Sequence, residues 1–158
     1  MSLVRFCMLL SLVVWLGGII FFAFVLAPTV FAVLPTRELA GNVVSRSLTL
    51  LHGMGMVSGV VFAFTSMLDS RLSAGTAQPL SARHLLIYGM IVLTLVSQFA
   101  VGGTMAALRT EMGVIDEIPA NDARRLEFNR LHQWSTRLEG AVFLLGLALL
   151  YLTARRLE

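Results

Sequence analysis

Four long runs of apolar residues, separated by short polar stretches, account for most of this chain. The pattern predicts helices over residues 3–34, 46–68, 84–108 and 122–155. Each predicted helix is long enough for a bilayer crossing, which takes about 20 residues at about 1.5 Å per residue. We therefore predict one all-α domain over residues 1–158. It is an integral membrane four-helix bundle whose last helix extends beyond the bilayer at its N-terminal end.

Composition supports a membrane protein. The chain is 57% hydrophobic and 13% charged, with a mean hydropathy of +0.83, whereas soluble domains carry about 25% charged residues. All 12 basic residues are arginines, and they are spread over the loops. Because nucleic-acid-binding proteins cluster their basic residues on one face, we expect no nucleic-acid partner. The expected partner is the lipid bilayer.

The first apolar run indicates an uncleaved membrane helix. It is uncharged from Phe6 to Thr36, far longer than the 7–15 apolar residues typical of a signal peptide. Pro28 predicts a kink in this helix, and Pro35 predicts its end. Cys7 is the only cysteine, so an intrachain disulfide and CxxC redox or metal chemistry are excluded.

Glycine pairs in the first two helices predict close helix contacts. Gly55 and Gly59 form a GxxxG pair, and Gly17 and Gly18 are adjacent in the first helix. Small residues let helix backbones approach closely within lipid. We favour packing within one chain. The alternative is that these glycines form a homo-oligomer interface or a contact with a larger membrane complex.

The last apolar run is too short to cross lipid on its own. Only 15 uncharged residues separate Glu139 from Arg155. Counting about 20 residues back from Arg155 reaches Ser135, so Arg137 and Glu139 must lie at or below the headgroup boundary. Ionisable side chains at such a depth usually face protein or water. We therefore expect the functional site at this end of the last helix.

The polar residues of this region predict a binding site. His132, Ser135 and Glu139 are spaced i, i+3, i+7 and so share one helix face. His52 enters from the second helix at a comparable depth, and the third helix adds a glutamine from deeper in. The candidate binding residues are His52, Gln98, Asn129, His132, Ser135 and Glu139.

Three chemistries fit these residues. A His–Glu pair could relay protons or gate a solute. Two histidines on facing helices, His52 and His132, could ligate a haem iron. His52, Met56, His132 and Glu139 could bind a transition metal. The structural alternative is that Arg137 and Glu139 reach towards the headgroups while His132 bonds a neighbouring loop.

Other polar residues and motifs add little chemistry. His84 follows Arg83 at the predicted membrane boundary, where we expect a solvated histidine. The chain contains no Ser-His-Asp arrangement and no Gly-rich phosphate loop, so we expect no hydrolase or nucleotide enzyme and assign no catalytic residue. Arginines near the helix ends favour, by a small margin, both termini in the cytoplasm of a bacterial inner membrane.

Two motifs carry a family resemblance. Trp15-Leu16-Gly17-Gly18, followed by a Phe-rich run, resembles the first helix of the transmembrane protein 205-like family, a domain of unknown function. The stretch 128–135, FNRLHQWS, resembles the signature before its last helix. The first helix resembles, more faintly, the copper-resistance D and membrane protoporphyrinogen oxidase groups. The resemblance implies a polytopic bundle with a functional histidine on the last helix, and it supplies no substrate.

The best-supported expectation from sequence is small-solute or metal-ion transport or resistance, with a polar His/Glu site at the start of the last helix. Eukaryotic members of the resembled family are linked to platinum-drug resistance, without an established transport mechanism. The alternatives are a haem- or metal-binding redox bundle and a non-catalytic accessory subunit of a larger membrane complex.

Overall fold

The computed structural model describes residues 2–76 and 79–155, and all the regular structure within them is helical. Two helices are continuous: α2 is Arg37–Ala74 and α4 is Ala123–Ala154. Two helices have three consecutive segments: α1 is Ser2–Phe21, Phe22–Leu26 and Ala27–Val33, and α3 is Ala82–Leu95, Val96–Val101 and Gly102–Met112. A short 3-10 turn, Ile115–Glu117, precedes α4. All four helices are long and apolar enough to cross a membrane. The predicted all-α four-helix membrane bundle is confirmed.

The helix α2 is longer than the predicted 46–68 at both ends. Thr36 is its N-cap, and the Thr36 Oγ1 accepts the N–H of Leu39 at 3.2 Å. Gly75, with φ of 71°, ends the helix in the left-handed conformation that glycine adopts without strain. The loop predicted over residues 36–44 is therefore only residues 34–36. With 38 residues, α2 is about 57 Å long and projects beyond a hydrocarbon core of about 30 Å.

The connection between α3 and α4 is also shorter than predicted. The helix α3 continues to Met112, four residues past the predicted end, and Gly113 follows with φ of 65°. Asp122 is the N-cap of α4, and its carboxylate accepts the N–H of Arg124 at 2.8 Å. A side-chain acceptor at this position satisfies a backbone donor that the helix itself leaves unpaired.

Both three-segment helices contain a π turn. In α1 the N–H of Ala27 bonds to the carbonyl of Phe22, five residues back. This wide turn directly precedes Pro28, whose ring would otherwise clash with the carbonyl four residues earlier. In α3 the N–H of Gly102 bonds to the carbonyl of Ser97. The irregularity expected at Pro28 is thus a π turn, whereas the sequence did not indicate the one in α3.

The four helices form a ring in chain order. The most extensive packing is between α1 and α2 and between α3 and α4, while α2 packs on α3 and α1 on α4. As a result, α2 and α4 are diagonal neighbours across the bundle. Trp15 of α1 is buried against Gly55 and Gly59 of α2, so these two glycines pack within one chain. Gly18 packs on Leu51, whereas Gly17 is exposed.

The apolar core occupies the half of the bundle nearer the termini. Its members come from all four helices and are Met8, Leu12, Trp15, Ile19, Leu51, Phe62, Ile87, Met90, Val142 and Leu149. We call the membrane surface with the termini and the α2–α3 connection the terminal face. We call the opposite surface, with the connections 34–36 and 113–122, the loop face.

Polar side chains close the terminal face. Arg5 Nε donates to Asp69 Oδ1 at 3.2 Å, which joins α1 to α2. His84 is fully buried, and its Nδ1 lies 2.8 Å from Ser81 Oγ. The expectation of a solvated His84 is therefore wrong. The cause is that α3 begins inside the bundle, where Arg83 is also buried and reaches Met8 Sδ of α1.

Candidate functional site

A histidine and a glutamate meet in the interior of the bundle. His52 Nε2 of α2 lies 2.5 Å from Glu139 Oε1 of α4. The side chains are 5% and 17% exposed, respectively. The contact joins two helices that lie diagonally across the bundle. At this level a short hydrogen bond occupies the bundle interior, whereas apolar side chains occupy it nearer the termini.

The π turn of α3 supplies the other partners of this pair. Gln98 Oε1 lies 2.7 Å from His52 Nδ1. Ser97 Oγ donates to Glu139 Oε1 at 3.4 Å. Successive residues of a regular α-helix point about 100° apart. The wider π turn allows Ser97 and Gln98 to face the same pair, and such turns are frequent at functional sites.

These contacts restrict where protons reside. A carbonyl oxygen only accepts, so the Gln98 oxygen requires the proton on His52 Nδ1. One further proton then lies between His52 Nε2 and Glu139 Oε1. It makes either an imidazolium beside a carboxylate or two neutral groups, and both forms have zero net charge. A neutral pair suits an interior in which an isolated charge is costly.

The depth of the pair follows from counting residues to the charges at the terminal face. His52 lies 17 positions before Asp69, and Glu139 lies 16 positions before Arg155. At about 1.5 Å per residue these are about 26 Å and 24 Å. Measured from the terminal face, the two side chains thus share one level. In a core about 30 Å thick, this level is about 5 Å below the boundary at the loop face.

The structure brings together three of the six expected binding residues, His52, Gln98 and Glu139. Asn129 and His132 are exposed on α4, and Ser135 is half-buried. His132 lines an open surface depression with Gln133, Thr136 and Arg137. Sequence spacing placed His132 and Glu139 on one face, but the helices that surround Glu139 leave His132 exposed.

Of the four expected metal ligands, only His52 and Glu139 lie together. Met56 lines an open apolar depression on the outside of α2, and His132 lies on the surface of α4. Among the described residues, no three His, Cys, Asp or Glu side chains come close enough to share a metal ion. Both ring nitrogens of His52 are hydrogen-bonded, so in this arrangement neither is free to ligate a metal or a haem iron.

Sequence reasoning missed Ser97. The residue was visible beside Gln98, but in a regular helix the two side chains diverge, and only one of them would reach the pair. Gly102 and Gly103 follow the π turn. They are a weak signal for a backbone irregularity, since glycine lowers the stability of a regular helix.

The fold and the site together define a class: an integral membrane four-helix bundle with a buried, hydrogen-bonded His–Glu pair. Within this class, the chain belongs to the family described as domain of unknown function DUF4149, whose model matches residues 10–113. The match includes His52, Ser97 and Gln98 and ends before α4. No curated protein and no solved structure matches the chain significantly. The resemblances to the transmembrane protein 205-like and copper-resistance D groups remain predictions.

Proposed function

We propose that this protein moves protons across the membrane, coupled to transport of or resistance to a small solute, and that His52 and Glu139 form its proton-binding element. The single observation that carries the proposal is the 2.5 Å contact between His52 Nε2 and Glu139 Oε1 inside the bundle. Intramembrane ionisable residues commonly mark ion pathways and proton relays.

The proposal follows from the charge of the pair. With one shared proton it is neutral, whereas gain or loss of a proton leaves a net charge in a low-dielectric layer. A charge at the bilayer centre costs about 2.5–3.5 kcal/mol, and less nearer the boundary. Since about 1.4 kcal/mol changes an equilibrium tenfold, part of this cost is enough to bias a bundle towards one of two conformations.

Proton coupling is better supported than the metal or haem alternatives. The pair needs no ligand beyond its own side chains, and Gln98 and Ser97 add one contact each, to His52 Nδ1 and to Glu139 Oε1. The dispersed positions of Met56 and His132 give no shared metal site. From the arginine distribution, we also propose a bacterial inner-membrane location with cytoplasmic termini.

Proton uptake into sealed proteoliposomes tests the proposal. An imposed electrical potential drives uptake, and an internal pH-sensitive dye reports it. We expect uptake above that of protein-free vesicles, and its loss in Glu139→Gln, which cannot exchange the shared proton. His132→Ala, exposed on the same helix, is the matched control and should retain uptake. Equal rates for wild type and Glu139→Gln, or none above protein-free vesicles, would contradict the proposal.

A further inference from the structure

The burial of side chains along α4 changes at Glu139. Its buried residues all come after Glu139 in the chain. They are spaced by four, three and four residues, which places them along one face of the helix. They are Val142, Gly146, Leu149 and Thr153. In the sixteen residues before Glu139, none is buried. Glu139 therefore marks the level at which α4 leaves the packed core.

The other three helices also have few buried residues on the loop side of this level. In α1, the π turn Phe22–Leu26 and the segment Ala27–Val33 contain no buried residue. In α3, Gly102–Met112 contains only Met112. In α2, Ala40 is the only buried residue before Leu51. Ala40 and Met112 lie near the loop-side ends of their helices, far from the pair, whereas the buried Val101 lies one turn from the Ser97–Gln98 segment.

We infer that the His52–Glu139 pair forms the floor of a water-filled vestibule that opens only to the loop face. The packed core closes the other direction, since Trp15, Met90 and Val142 are each at most 2% exposed. The inference rests on the proposed function for its role: protons reach the pair from the loop face, and this conformation blocks their passage to the terminal face.

Polar and charged residues lie around the opening. Arg109 Nη1 donates to Asn42 Oδ1 at 2.9 Å, which links α3 to the part of α2 nearest the loop face. The guanidinium of Arg109 also lies 5.6 Å from the ring centre of Phe128 of α4. These polar contacts link α3 to α2 and to α4 near the loop face.

A matched pair of cysteines on α3 tests the vestibule. Val101 lies one turn from the Ser97–Gln98 segment towards the loop face, and Thr94 lies one turn in the opposite direction. Both are buried, at 9% and 1% exposure. Each is changed to cysteine in a Cys7→Ala background. Phe99→Cys, 72% exposed on the outer surface of α3, is the control for a lipid-facing position.

The probe is a permanently charged, membrane-impermeant thiol reagent added to one side of oriented vesicles. Because the thiolate reacts and needs water to form, we expect Val101→Cys to react about tenfold or more faster than the other two variants. The reaction should occur only from the loop face. Equal rates for Val101→Cys and Thr94→Cys, or labelling of Val101→Cys from the terminal face, would overturn the inference.

A second measurement needs no substitution. A water-soluble carbodiimide added from the loop face should modify Glu139 of the wild-type protein, as read by mass spectrometry, and the same reagent should fail from the terminal face. Failure from both faces overturns the vestibule. Both labelling tests are independent of flux. One-sided labelling without proton uptake would reject the proposed function alone, and uptake with labelling from both faces would reject the vestibule alone.

Discussion

His52 and Glu139 lie on diagonal helices, yet His52 Nε2 and Glu139 Oε1 are only 2.5 Å apart. The pair therefore ties α2 to α4 at a level where the apolar core ends. A buried ion pair usually contributes little net stability compared with apolar residues, but loss of one partner strands the other in a low-dielectric interior. The pair is therefore expected to stabilise the bundle less than apolar packing at the same place would.

Single and double substitutions test this expectation. We expect His52→Leu or Glu139→Leu alone to lower the free energy of unfolding by up to about 3–5 kcal/mol, because the remaining group loses its partner. The double variant should be more stable than either single variant, since no polar group is stranded. Unfolding in mixed detergent micelles measures all three. Additive losses would show that the two side chains are not energetically coupled.

The contact from Gln98 predicts one tautomer of His52. In wild-type protein labelled with ¹⁵N-histidine, we expect the proton on Nδ1, because the Gln98 oxygen at 2.7 Å can only accept. In Gln98→Leu this acceptor is lost, and the spectrum should show a mixture of tautomers. Phe99→Leu, a neighbouring substitution on the outer surface, is the control and should leave the signals in place. An unchanged spectrum in Gln98→Leu would mean that Gln98 does not set the tautomer.

Much of the fold followed from the hydrophobic pattern. The four apolar runs predicted four helices because lipid requires about 20 apolar residues for each crossing. Helix ends were less accurate: α2 begins at Arg37 because Thr36 caps it, and ends at Gly75. In both places a single residue with the right backbone geometry decided the boundary, and hydropathy carries no signal for it.

The site was predicted in part for a physical reason. The uncharged run of α4 is too short to cross the bilayer, which predicted that Glu139 lies inside the membrane. His52 was predicted as its neighbour only because it lies at a comparable depth in α2. Spacing along one helix could not show that His132, two turns before Glu139, has no covering helix. The π turn that brings Ser97 and Gln98 to one side depends on tertiary packing, so local sequence did not reveal it.

The contact between Trp15 and α2 predicts unequal effects of two glycine substitutions. A Cβ at Gly55 would lie 2.5 Å from Trp15 Nε1, whereas a Cβ at Gly53 meets nothing within 4 Å. We expect Gly55→Ala to lower the free energy of unfolding by about 1–3 kcal/mol through overpacking. Gly53→Ala, in the same helix, should be neutral or slightly stabilising. Thermal unfolding in detergent measures both, and equal effects would contradict the close packing.

The N-cap of α4 predicts a stability effect that depends on pH. The side chain and backbone N–H of Arg124 bond to the Asp122 carboxylate and lower its pKa from 3.8 to about 2. Because the pKa is lower in the folded state, the carboxylate stabilises the fold above pH 3.8, and this contribution disappears as the pH falls through about 2. Asp122→Ala should therefore lower the melting temperature at pH 7.

The difference between wild type and Asp122→Ala should shrink as the pH falls from about 4 towards 2, where protonation removes the charge from the wild-type cap as well. Thermal unfolding in detergent at several pH values measures this. Asn121→Ala, an exposed position just before the cap, is the control and should show no such trend. A difference that stays constant down to pH 2 would mean that Asp122 acts without its charge, through helix capping geometry alone.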